Sequence, residues 1–164
     1  MIITIEDLVE AHACLDGMKL FDAIAPSGRL DIEWTPLHTV WMAVAYPELA
    51  DWVRDQFGYA NLTGCDLTGA NLTGANLAYA NLARANLTGA NLAYAKLRGA
   101  DLAYAKLRGV DLYGADLRYV ELAGADLSGA NLTGADLTGS DLTDADLTGA
   151  DLRFANLRGA IGVP

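Results

Sequence analysis

"ANLTGANLAYANLARANLTGANLAYAKLRGA", residues 70–100, says nearly one phrase six times over. The phrase has five residues: Ala, then Asn or Lys, then Leu, then two that vary. It runs well beyond the quotation. Leu stands at every fifth position from Leu62 to Leu157, twenty in succession. Two places before each Leu stands a small residue, Ala except at Cys65, Val110, Val120 and Ser140. One place before each stands Asn or Asp, except at Lys96, Lys106 and Glu121. A repeat held over that length sets the architecture ahead of local propensity.

A period of five fits neither regular element. On an α-helix each step of five rotates about 140° net, so the leucines would spiral round the surface. The Gly in most units would also cost about 1 kcal/mol each there. On a flat strand five is odd, so successive Leu residues would point to opposite faces. A corner removes the conflict. Ala-Asn-Leu forms a short extended piece with Ala and Leu inward and Asn outward, and the next two residues turn the chain. Gly, Asn and Asp suit such turns. If each turn is about 90°, four units close a square coil of twenty residues. Coils stacked at about 4.8 Å bond backbone to backbone. Small Ala and large Leu together fill the narrow interior.

The pattern of a small residue, Asn or Asp, Leu and two variable positions resembles the pentapeptide-repeat family. The resemblance covers residues 60–160 and implies a mainly β fold, a right-handed quadrilateral β-helix of about five coils, about 24 Å tall. Residues 161–164 are read as a C-terminal tail.

Residues 1–59 differ in kind and are read as a mostly α-helical capping domain. Thr4 and Asp7 resemble a capping box ahead of Ile5, Leu8, Val9 and His12 at helical spacing. Leu15, Met18 and Phe21 suggest a second helix, stopped at Pro26-Ser27-Gly28. Leu30–Trp34 alternates like a short strand. Pro36 and Pro47 start further helices. Ala50-Asp51-Trp52 and Asp55-Gln56-Phe57 also fall in the five-residue register, so residues 50–59 read as helix or as two degenerate repeats.

Chemical machinery is not evident. There is no Gly-x-Ser-x-Gly elbow, phosphate loop or His-Glu-x-x-His. His12 and Cys14 lack companion metal ligands and read as a packed helix side. Cys65 takes an inward small slot and reads as a buried free thiol. The many carboxylates stand on a regular wall, whereas catalytic pairs need a cleft that drives their pKa values apart. The expectation is a non-enzyme with no catalytic residue, metal or cofactor. No apolar run reaches membrane-spanning length and no leader is recognisable, so a soluble cytoplasmic protein with no membrane contact is expected.

What remains is surface. The chain carries a formal charge of −10. Residues 1–59 hold ten acids against Lys19, Arg29 and Arg54, net −7. Residues 60–100 hold Asp66 against Arg84, Lys96 and Arg98, net +2, and residues 101–164 hold ten acids against five bases, net −5. No basic stripe suits direct nucleic-acid binding. Tyr79 and Tyr119 fall on one side with Arg98 and Arg118, Tyr94 and Tyr113 on another, and Tyr104 near Arg84. Tyr and Arg favour protein interfaces, so these residues form the candidate contact surface for a protein partner that the sequence does not identify.

The resemblance implies a second candidate. Some pentapeptide-repeat proteins are acidic DNA mimics that occupy bacterial type II topoisomerases such as DNA gyrase. Asp101, Asp111, Asp116, Glu121 and Asp141 are the candidate mimic acids. DNA carries two charges per roughly 3.4 Å, so three coils, about 14 Å, should show roughly eight; the acidic half shows a net −5. Finally, the last coil would leave strand edges open, which proteins usually cover. A homodimer through the C-terminal coil, with Phe154, Ile161 and Val163 as contacts, is the corresponding expectation.

Overall fold

A computed structural model describes the backbone of Ile3–Thr4 and Arg29–Leu30, and residues 61–163 throughout. The chain divides into two units, Met1–Gly58 and Tyr59–Pro164. In the first, β1 (Ile3–Thr4) pairs antiparallel with β2 (Arg29–Leu30), Ile3 opposite Leu30. The helices expected over residues 5–57, the rest of the strand expected at Leu30–Trp34, and both readings of residues 50–59 lie outside the described residues. No helix occurs among those that are described.

The second unit is the square coil. Every outward residue pairs in parallel with the one twenty positions on: Asn61 with Asn81, Asn81 with Asp101, Asp101 with Glu121, and so on round all four sides. Each pairing uses two backbone bonds. The Leu82 amide donates to the Asp101 carbonyl (2.7 Å), and the Asp101 amide donates to the Ala80 carbonyl (2.9 Å). At each corner the amide of the next small residue donates back to the Leu carbonyl, as Ala85 does to Leu82 (3.0 Å). Only the third residue of that turn has positive φ, which makes it a type II turn. Five residues thus give one extended triplet and one corner, and the odd period stops being a paradox.

Leu62 to Leu142 and most of the small residues between them are buried. Burial of an inward side chain needs a coil on both sides, and the last coil shows it. Cys65, expected to be buried, is a free thiol and only half-buried, in the first described coil. Leu147, Leu152 and Leu157 are likewise half-buried. Leu142 is covered because the chain carries on past Ala160 in register. Ile161 bridges to Asp141, and its carbonyl accepts from the Leu142 amide at 2.9 Å. Gly162 then falls where the next Leu of the pattern would stand. A Cβ there would collide with the backbone of Leu142 and Thr143, so a residue without one lies flat across Leu142.

Candidate interaction surface

The four sides can be followed residue by residue. Face I carries Asn61, Asn81, Asp101, Glu121 and Asp141; face II carries Asp66, Asn86, Lys106, Asp126 and Asp146. Face III carries Asn71, Asn91, Asp111, Asn131 and Asp151; face IV carries Asn76, Lys96, Asp116, Asp136 and Asn156. Each Asn and Asp in these ladders does local work. Its side-chain oxygen accepts the amide two residues on, as Asp101 accepts from Ala103 (2.9 Å) and Asp141 from Thr143 (2.8 Å). An exposed amide at the corner is thereby satisfied.

Those bonds favour the ionised carboxylate. Thr68, Thr143 and Thr148, through side chain and then backbone, hold Asp66, Asp141 and Asp146 below the usual carboxylate range. Arg153 holds Asp151 down to about 2, first through its side chain and then through its amide. Arg118 lowers Asp116, its Nη2 lying 2.6 Å from Asp116 Oδ2 and its Nε 4.0 Å from Asp136 Oδ2.

The aromatic residues occupy a narrower set of places than the sequence suggested. Tyr79, Tyr94, Tyr104 and Tyr119 do not stand on faces. Each is the positive-φ residue of a corner, with φ of 57–60°. Arg84, Asp144 and Phe154 hold the same position elsewhere. Non-glycine residues rarely adopt this conformation, and a large ring there is unusual. Each ring has a seat. Twenty residues on from each of these tyrosines stands a glycine: Gly99, Gly114, Gly124 and Gly139. A Cβ on Gly99 would come 2.6 Å from Tyr79 Cε1, and one on Gly139 would come 2.8 Å from Tyr119 Cε1. The rings lie down the corner over the next coil, yet remain exposed. The pairing of a corner Tyr with Gly twenty positions later was readable in the sequence; the register supplies the signal.

Round the coil, Tyr79 and Tyr119 mark the corner between faces IV and I, with Arg98 and Arg118 one residue before that corner position. Arg98 lies over the Tyr119 ring, 5.6 Å from its centroid. Tyr94 marks the corner between III and IV and meets Tyr113 edge-on, centroids 5.4 Å apart at 85°. Tyr104 marks the corner between I and II, one coil below Arg84. The corner between II and III has glycine at every level from Gly69 to Gly149. The aromatic corners therefore flank faces IV and I and leave the opposite corner bare.

The candidate mimic acids are not one patch. Asp101, Glu121 and Asp141 stack on face I; Asp111 is on face III, accepting from Asn131 Nδ2 (2.9 Å); Asp116 is on face IV, paired with Arg118. Phe154, Ile161 and Val163 are all exposed near the last coil, Phe154 the most at 90%. Among the described residues no His, Cys, Asp and Glu group is placed to hold a metal ion. His12 and Cys14 lie outside them. No helix among the described residues is long and apolar enough to cross a membrane.

Residues 56–92, 95–134 and 125–161 match the model of the family described as pentapeptide repeats, in eight copies. No curated protein matches the chain. A pentapeptide repeat protein from the thylakoid lumen of Arabidopsis thaliana is 33% identical over 61% of this chain and 63% of its own, with a TM-score of 0.48. This chain thus spans under two thirds of that protein's length. A pentapeptide repeat protein of the cyanobacterium Cyanothece is 31% identical over 66% of this chain and 90% of its own, with a TM-score of 0.40. A trypsin-treated form of QnrB1, a plasmid-mediated fluoroquinolone resistance protein, is 24% identical over 60% of each chain, with a TM-score of 0.23.

Proposed function

The chain belongs to the pentapeptide-repeat family, whose members form right-handed quadrilateral β-helices, and on that premise we propose that it is a non-catalytic protein–protein interaction module. Its contact surface is the set of corners bearing Tyr79, Tyr94, Tyr104 and Tyr119 with Arg84, Arg98, Arg118 and Tyr113. One observation carries this. The fold asks for positive φ at every corner, glycine meets that demand at most of them, and these corners give it to tyrosine instead. Placing a side chain there costs roughly 1–2 kcal/mol, and local strain of that kind concentrates at binding sites. The rings, roughly half or more exposed and held over glycine seats, are stiff amphipathic contacts of the sort that anchor interfaces. Affinity capture from native lysate tests the reading. A single retained protein should be lost when Tyr119→Ala and Arg98→Ala are combined. Equal capture by parent and double variant would refute the surface.

A second reading rests on face I. Asp101, Glu121 and Asp141 stack there one coil apart, and no ion pair reaches them among the described residues. A stack of uncompensated charge is what an acidic DNA mimic bound to DNA gyrase would require. Recovery of gyrase subunits in the capture, lost on changing these three acids to Asn, would select this reading over the first.

A further inference from the structure

The four faces differ in what each would meet if a second copy lay alongside, running the other way. A two-fold axis across the coils at the level of the third pairs coil one with five and coil two with four. On face I that symmetry sets Asp101 against itself and on face III Asp111 against itself. On face II it sets Lys106 against itself and Asp66 against Asp146. On face IV it sets Lys96 against Asp136 twice over, and Asn76 against Asn156. Only face IV brings opposite charges together. Its central residue, Asp116, which would meet its own copy, is also the one held in a 2.6 Å ion pair by Arg118. No acid lies within ion-pair reach of Lys96 among the described residues. Asp136 is 39% exposed at its side chain, and its Oδ2 has only a long contact, 4.0 Å, to Arg118 Nε.

We infer that face IV is a self-complementary docking surface whose occupant is a second copy of this chain laid antiparallel. The inference rests on the reading of the tyrosine corners as protein-binding, since two of them frame this face. The same symmetry brings Tyr113 of one copy beside Tyr113 of the other and Arg118 with Tyr119 beside their own copies. The size of the contact sets its strength. Five coils at about 4.8 Å give about 24 Å of length, and three extended residues plus corner side chains give about 20 Å of width. That is about 1,000 Å² in total from both copies, the lower limit for a specific interface. The pairing is therefore weak and reversible, steered by charge and loosened by salt.

Sedimentation equilibrium of the full chain from about 10 μM to about 1 mM tests it, a range suited to contacts of this area. The parent should form a reversible dimer that weakens as salt rises. Lys96→Asp alone and Asp136→Lys alone should each weaken it about tenfold or more, because like charges then face each other twice. The two single variants, mixed, should pair with one another, and the double variant should return towards the parent. Both positions point outward, so every variant keeps the fold. A parent that stays monomeric throughout overturns the inference, and so does a dimer indifferent to all these charges. A dimer that Phe154→Asp with Ile161→Asp abolishes while Lys96→Asp spares it is end-to-end association through the last coil, and overturns it as well. Failure here is separable from failure of the contact surface: a foreign protein captured by a monomeric chain and lost with Tyr119→Ala keeps the latter and removes only the former.

Discussion

Gly99→Ala and Gly89→Ala ask whether the ring seats are real. The two glycines share nearly one backbone conformation, φ of +66° and +65°. Giving either a Cβ costs roughly 1–2 kcal/mol from the left-handed conformation alone. At Gly89 that is the whole cost, because nothing lies within 4 Å of the new atom. At Gly99 the new atom would sit 2.6 Å and 2.7 Å from two carbons of the Tyr79 ring. Carbon contacts settle at about 3.5–4.0 Å, so the ring must lift by about 1 Å. Tyr79 is 48% exposed, so half its surface is packed. Half of a tyrosine's roughly 200 Å² is about 100 Å², worth about 2.5 kcal/mol in full. Lifting the ring forfeits part of that, about 1 kcal/mol. Each kcal/mol lowers the melting temperature by about 2–4 °C in a chain of this size. Gly99→Ala should therefore melt about 2–4 °C below Gly89→Ala by circular dichroism. The excess should vanish when Tyr79→Ala is present in both. Equal melting of the two single variants would show that no ring rests on Gly99, and the account of the corners would fall with it.

Two further outcomes follow from the core and the ladders. Leu107, fully buried, should not tolerate Asp, because an unpaired charge in so narrow an interior costs far more than the domain's margin; Thr88→Asp, at a half-buried corner position, should leave the circular dichroism spectrum unchanged. Acid should destabilise the fold in a defined window. The carboxyls of Asp66, Asp116, Asp141, Asp146 and Asp151 are lowered from 3.8 in the folded state, Asp151 to about 2. A lowered folded pKa gives stability that is complete above the unfolded value and is lost as pH falls through the folded one. Denaturation midpoints should thus drop between about pH 4 and about pH 2, and Arg153→Ala should remove part of that drop.

The fold was legible because one physical constraint recurs so often. Leu at every fifth place excludes helix and flat strand, and a corner is what remains; the pairing of Asp101 with Glu121 and of Lys96 with Asp116 is then arithmetic. Side-chain detail was legible only in part. Register places Tyr79 and Tyr119 on the same side as Arg98 and Arg118, but register alone does not distinguish the flat from the turn. The positive φ at those residues decides it, and φ depends on which turn type the backbone adopts. The five proposed mimic acids looked equivalent as letters. Their differences arise from partners: Arg118 reaches back two residues to Asp116, Asn131 donates across a coil to Asp111, and among the described residues nothing comparable pairs with Glu121. Burial differs from the sequence reading at Cys65, which register alone places inward, and Leu147, Leu152 and Leu157 stay half-open because an inward position is closed only by neighbouring coils.

The departures from the repeat carry most of what is individual about this protein. Every Asn and Asp of the ladders accepts the corner amide two residues on, a bond worth about 0.5–1.5 kcal/mol net. Lysine has no acceptor and cannot make it. Lys96 and Lys106 therefore forgo a bond that Asn would supply at the same place. At Glu121 the longer side chain makes no such bond in this structure either. A sequence shaped by coil stability alone would place Asn or Asp at all three. The same holds at the corners, where tyrosine at positive φ replaces the less strained glycine. Both kinds of exception gather around faces IV and I and their corners: Lys96 and Glu121 on the faces, Tyr94, Tyr79, Tyr119 and Tyr104 at their edges, and Arg98 packed on Tyr119. Face II has the exception of Lys106 but no aromatic corner between it and face III, only glycines. Where local stability is given up at several adjacent positions at once, the common cause lies outside the coil. A surface that recognises another polypeptide would supply that cause, and the charge symmetry of face IV is what the proposed second copy would meet.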